Sequence, residues 1–132
     1  MILLYTNLSR KLMTTISNSR LVQDWMKSAG QLVTPDQDLD ANIGLQDHQM
    51  TYIEEEFYEL LHAYNNLERS DVIKEAIDLI WVTYGLLHIM GVDTDQAFSK
   101  VAESNQSKIP FTYKDGKVQK GPNYQKPDLS KL

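Results

Sequence analysis

The chain contains no cysteine, which excludes disulfides, thiolate metal ligands and a cysteine nucleophile. Their absence fits a reducing compartment, and a cytoplasmic location is the expectation. Long hydrophobic runs are also missing. The longest nearly uninterrupted apolar stretch, Leu79 to Val92, covers 14 residues and includes His88. A membrane-spanning helix needs about 20 residues, so this stretch predicts a core helix and no membrane partner. The opening Met-Ile-Leu-Leu-Tyr lacks a basic lead and is not read as a signal peptide, and Met13 is an alternative start to Met1. Basic charge is scarce over most of the chain. Residues 1–107 carry 7 basic and 16 acidic side chains, whereas residues 108–132 carry six lysines against Asp115 and Asp128. An acidic body lacks the basic footprint of a duplex-binding protein, so no nucleic-acid partner is expected. Gly-rich phosphate loops, Gly-x-Ser-x-Gly elbows and Ser/His/Asp patterns are absent too, so phosphates would have to be held by metal ions and lysines.

With 132 residues, one domain with a modest core is expected. Helical signals dominate. Ser17 to Ser19 offers caps for a helix through Ala29, with Leu21, Val22, Trp25 and Met26 on one face and Gly30 at its end. Thr34 to Gly44 reads as a loop. A long helix is predicted from Leu45 to Leu67, with Ile53, Phe57, Leu60, Leu61 and Tyr64 at amphipathic spacing. After a turn at Glu68–Ser70, with Ser70 as cap, a helix apolar on nearly every side runs from Asp71 to Met90 and stops at Gly91. Asp93 or Thr94 caps a fourth helix, from Asp95 to Ser107, and Pro110 prevents its extension. The tail is expected to be irregular, with a short hairpin at Lys114–Lys117. The fold class is therefore all-α, a four-helix, bundle-like domain with a C-terminal arm.

Two acidic clusters carry the chemistry, Glu55-Glu56-x-x-Glu59 and Glu75-x-x-Asp78. Residues three or four apart share a helix face, and a tight turn makes the two helices antiparallel neighbours. Both clusters can then point into one seam. Asp78 is followed by Leu79, Ile80, Trp81 and Val82, so its side chain is expected to enter the interior. Buried carboxylates are protonated, paired or metal-bound. A carboxylate set without a His-rich or Cys-rich cluster suits Mg²⁺, with Mn²⁺ as the alternative. A bland reading, a solvated Glu-rich face, is weakened by the second cluster inside an apolar helix; Glu54 alone is left as surface. Glu59-Leu-Leu-His62 resembles half of a di-iron motif, but neither His48 nor His88 supplies the second copy. His62 is expected at a helix edge, and His88 hydrogen-bonded in or near the core. Trp25, on the apolar face of the first helix, is expected to pack in the core.

The order of these motifs resembles the EExxE…ExxD signature of the MazG-like all-α nucleoside triphosphate pyrophosphohydrolases. Asn105-Gln-Ser-Lys108 is similar to that group's Asn-x-x-Lys, and Asp115 to Asp128 resembles a C-terminal arm of phage and bacterial members. The resemblance spans Val22 to Leu129. It implies an N-terminal extension over residues 1–16, a catalytic domain over 17–109 and an arm over 110–132. It implies cleavage of a nucleoside triphosphate to monophosphate and pyrophosphate, with Glu56, Glu59, Glu75 and Asp78 on Mg²⁺. Glu55 would be a further ligand or the group that orients water. Asn105 and Lys108 would contact substrate, with Lys117, Lys120, Tyr124 and Trp25 as further candidates. Members are homodimers or homotetramers, and the surplus apolar surface of the third helix fits such assembly. A purine deoxynucleotide such as dGTP is the expected substrate in a nucleotide-pool or phage setting. Alternatives are a dUTP-cleaving relative, phosphoribosyl-ATP hydrolysis, and a non-catalytic helical oligomerisation module.

Overall fold

A computed structural model describes residues 16–31, 33 and 42–132 of the chain. The expected N-terminal extension up to residue 15, the start at Met13 and most of the loop expected between Thr34 and Gly44 lie outside the described residues. The architecture is all-α, with four helices and a single short hairpin among the described residues. Its backbone contacts form two units, one ending at Val92 and the other running from Asp93 to Leu132. No single helix among the described residues is long and apolar enough to cross a membrane.

In the first unit, helix α1 spans Asn18–Ser28 and is capped by Ser17, whose Oγ accepts from the Arg20 amide at 3.1 Å. Satisfying an orphan amide in this way fixes where the helix starts. Val22 and Met26, four residues apart, are buried on one face and form a small core with Ile89, against which Val33, Trp81 and Tyr84 pack. Helix α2 spans Ile43–Asn65 and helix α3 spans Arg69–Ile89, joined by only three residues. The short connection makes them antiparallel neighbours.

Polar side chains tie these helices in register. Asn42 sits at the N-cap position of α2 without capping it; its Nδ2 donates instead to the carbonyl of Ile89 at 3.2 Å, in the last turn of α3. A terminal carbonyl that the helix itself leaves unsatisfied is thereby paired. Seven residues on, Gln49 Nε2 donates to the carbonyl of Val82 at 2.8 Å. His88 is buried, and its Nε2 lies 2.9 Å from the Ser19 carbonyl and 3.2 Å from Ser19 Oγ, linking α3 to α1. A carbonyl can only accept, so this nitrogen carries the proton.

Several expectations are corrected here. Glu68, not Ser70, occupies the N-cap position of α3, and it makes no side-chain cap. The helix can start early because the connection is closed by Leu67 in the left-handed region, at φ 57°. Helix α2 begins at Ile43, so the end of the expected loop is helical. The apolar face expected for α2 is not wholly inward: Phe57, Leu61 and Tyr64 are exposed, as are Ile73, Ile77 and Ile80 of α3.

In the second unit, helix α4 spans Thr94–Gln106, and Asp93 Oδ1 caps it by accepting from the Gln96 amide at 3.0 Å. Strands β1 (Thr112–Lys114) and β2 (Lys117–Gln119) pair antiparallel across Asp115-Gly116. Both loop residues have positive φ, the geometry that a two-residue hairpin of this twist needs. The tail is fastened to the end of α4. Ser104 Oγ donates to the Gln125 carbonyl at 2.8 Å, the Gln125 amide donates to Ser107 Oγ at 2.9 Å, and the Gly121 amide donates to the Lys108 carbonyl at 3.0 Å. A Cβ at Gly121 would collide with the Pro110 carbonyl oxygen, so only glycine allows that approach.

Candidate active site

Helices α2 and α3 bring three acids together. One carboxylate oxygen from each of Glu56, Glu75 and Asp78 lies within 4.8 Å of the other two. Glu56 stands seven residues beyond Gln49 on α2, and Glu75 seven before Val82 on α3, so the register set by the Gln49 bond carries the acids to the same level. Oε2 of Glu56 and Oε2 of Glu75 are enclosed and accept no hydrogen bond among the described residues. Enclosed, unpaired carboxylate oxygens are costly to desolvate, and oxygen ligands from several acids are what a hard divalent cation takes. The donor set therefore fits such an ion.

Electrostatics point the same way. Burial pushes the Glu56 carboxyl up to about 6, helped by the charge of Glu59, the charge of Asp78, a hydrogen bond with the Glu59 side chain and the charge of Glu75. The acids also share a cation of the chain's own. Lys74 Nζ lies 2.8 Å from Asp78 Oδ2 and 3.2 Å from Glu75 Oε1, and these two contacts raise the lysine above its ordinary value.

The expected interior position of Asp78 is only half met. Its side chain is 37 % exposed, against 15 % for Glu75, because it turns back along α3 toward the exposed Lys74, one turn earlier. Glu59 is exposed and lies outside the three-acid group, although it touches Glu56. Glu54 and Glu55 are exposed on α2. His62 is exposed and within 2.9 Å of Asn66 Nδ2.

Two depressions flank the acids. Glu56 opens into a groove of about 230 Å³ lined also by Trp25, Gln49, Tyr52 and Trp81. Trp25 is half-exposed, and its ring meets Trp81 edge-on at 5.6 Å, so it is a wall of the groove more than part of the core. Glu59, His62, Lys74 and Glu75 line a second, wider depression of about 620 Å³.

The second unit holds the remaining candidates. Lys108 Nζ donates to Asn105 Oδ1 at 2.9 Å. Lys120 Nζ stands 4.3 Å from the Tyr124 ring centre and Lys108 Nζ 6.0 Å from it, so two cations gather on one aromatic ring. Lys117 is exposed on β2.

Lys74, Gln49, Tyr52 and Trp81 were not singled out from sequence. A signal existed for Lys74, four residues before Asp78, and for Gln49, two helical turns before Glu56.

Comparison with curated proteins gives no match. Residues 34–105, over half of the chain, match the family described as Phosphoribosyl-ATP pyrophosphohydrolase. That segment contains both acid clusters and Asn105. The activity is accordingly of the nucleotide pyrophosphohydrolase type, and the enzyme is a hydrolase acting on phosphoric anhydrides. The chain belongs to the phosphoribosyl-ATP pyrophosphohydrolase family, within the MazG-like all-α superfamily.

Proposed function

We propose that the protein is a Mg²⁺-dependent pyrophosphohydrolase of nucleoside triphosphates, with a deoxynucleotide, such as the purine dGTP, as substrate. The observation that carries this reading is the pair of enclosed, unpartnered oxygens of Glu56 and Glu75 beside Asp78, with Glu56 also lining an aromatic groove. Water adds to the α-phosphorus, the bond to the α,β-bridging oxygen breaks, and a monophosphate, pyrophosphate and a proton leave. Glu56, Glu75 and Asp78, with Glu59 beside them, would hold Mg²⁺, and Mn²⁺ suits the same oxygens. When bound, the ion offsets the charge gathering on the phosphate oxygens. Exposed Glu55 is the proposed group that orients the attacking water. Trp25 and Trp81 offer ring edges and faces to the base. Asn105 and Lys108 are proposed to contact the substrate or its phosphates, with Lys117, Lys120 and Tyr124 as further substrate-binding candidates, on the resemblance to MazG-like sequences.

Assembly as a homodimer or homotetramer belongs to the same proposal. Phe57, Leu61 and Tyr64 on α2, and Ile73, Ile77 and Ile80 on α3, form two exposed stripes at i, i+4, i+7 spacing. Stripes of that kind are what a second copy would cover. A cytoplasmic site of action fits the absence of cysteine.

The family match favours a second reading, in which the substrate is phosphoribosyl-ATP. One panel separates them: NTPs, dNTPs including dGTP and dUTP, and phosphoribosyl-ATP, each with Mg²⁺, followed by chromatography. Monophosphate and pyrophosphate from a dNTP support the first reading, and turnover of phosphoribosyl-ATP alone supports the second. Release of inorganic phosphate, or no turnover of any compound, sinks both.

A further inference from the structure

We propose that Gln49 reads the edge of the nucleobase, and that Gly85 is the positioning residue that keeps its amide where it can do so. This rests on the nucleotide reading of the groove given above. Gly85 is buried inside α3, where glycine is destabilising relative to alanine. Its φ lies outside the left-handed region, so the backbone does not require glycine there. Space does. A Cβ at position 85 would stand 2.6 Å from Gln49 Nε2 and 3.4 Å from Gln49 Cδ. The bare backbone at Gly85 lets the amide lie against α3 and donate to the Val82 carbonyl at 2.8 Å.

That bond fixes which way the amide faces. The Val82 carbonyl only accepts, so the nitrogen turns to α3 and Oε1 turns away from that carbonyl. Gln49 lines the groove, and Oε1 has no partner among the described residues. With one N–H used on Val82, the amide still offers an acceptor and a donor side by side. A base edge on which an N–H adjoins a ring nitrogen or a carbonyl is its complement. Nearby polar groups are less suited, since Tyr52 Oη is engaged with His48 at 2.8 Å. Gln49 and Glu56 lie at separate points of the same groove, two turns or ~10.5 Å apart along α2. A nucleoside monophosphate bridges that span, with its base on Gln49 and its phosphate at the acids.

The test uses Gly85→Ala, Gln49→Ala and the double variant. Gly85→Ala is expected to keep its helicity, because alanine favours the helix and the clashing atom is the movable end of a side chain. Its displaced amide should raise KM about tenfold, a larger effect than any fall in kcat that comes from loosening the register of the acids. Gln49→Ala should raise KM similarly, and the double variant should match Gln49→Ala, because the clash needs both side chains. If both single variants keep the wild-type KM for every nucleotide while melting temperature shifts, the amide only ties two helices and the proposal is overturned. A binding measurement keeps this separate from the activity itself. The chain has two tryptophans, Trp25 and Trp81, and both line the groove. Deoxynucleoside monophosphates without metal should quench their fluorescence, less so in either single variant. If the wild type hydrolyses nothing but shows this pattern, the catalytic reading falls and the base contact stands. Quenching that is absent in the wild type, or equal in all variants, overturns the contact.

Discussion

Glu56 and Glu75 meet across the α2–α3 seam as the third rung of a ladder of polar contacts. The first two rungs are Asn42 to Ile89 and Gln49 to Val82. The rungs stand at seven-residue steps on both helices, about 10.5 Å apart. Upper rungs are neutral and satisfied by backbone carbonyls. The lowest rung sets two acids against each other with an enclosed oxygen on each. The hydrogen bonds above fix the register and so hold together a pair that repels when ionised. A cation relieves that repulsion, which makes the ladder a means of preorganising a metal site.

Removing one acid should therefore separate function from folding. Glu56→Gln, Asp78→Asn and Glu59→Gln are each expected to lower Mg²⁺-dependent turnover by about 100-fold or more. Their far-ultraviolet circular dichroism should stay helical. Near-normal turnover in any of them would remove that residue from the metal site.

The raised carboxyl of Glu56 makes metal-free stability depend on pH. Its value of about 6 in the folded protein lies above the ordinary 4.5. The folded state then binds the proton more tightly than the unfolded chain does. The stability linked to that proton is fully present below 4.5 and is lost as pH rises through about 6. Without metal, the melting temperature should fall across this window, and Glu56→Gln should flatten the fall. Mg²⁺ needs the ionised carboxylate, so its stabilising increment should grow with pH over the same window. Thermal melts with chelator and with Mg²⁺, across this range, measure both slopes.

Much of the fold and part of the site are legible in the sequence. The alternation of periodic apolar stretches with Ser17, Gly30, Gly91 and Asp93 marks four helices, because caps and left-handed residues have local physical causes. The start of α3 is not legible, since Leu67 adopts a conformation normally left to glycine. Spacing brings Glu56, Glu75 and Asp78 together, as tight helical hairpins dictate. It does not reveal Lys74 as their counter-ion, because surface lysines choose partners by rotamer. Nor does it reveal the aromatic groove, which depends on how α1 docks on α3.

Lys74 supplies a prediction of its own. Its ammonium sits where it offsets two of the three acids in the metal-free protein. Lys74→Gln should lower the metal-free melting temperature and enlarge the gain on adding Mg²⁺, since the ion no longer competes with a resident cation. Differential scanning with and without Mg²⁺ reads both quantities. An exposed pair that contributes nothing would leave both unchanged.

Leu67 offers the last test, in the turn that sets the antiparallel geometry. It follows the Asn66 C-cap at φ 57°, and its amide donates to the Tyr64 carbonyl at 3.1 Å. A Cβ in this region costs about 1–2 kcal/mol, which asparagine tolerates better than leucine. Its side chain is 82 % exposed in the chain, so replacing it loses little packing. Leu67→Asn should therefore stabilise the protein by about 1 kcal/mol and raise the melting temperature by a few degrees. The turn lies more than two helical turns from Glu56 along α2, so kcat should not move. A fall in melting temperature would instead mean that Leu67 is buried in the assembled protein. Light scattering would then show the variant dissociating, and would place the subunit interface at this end of the helical hairpin.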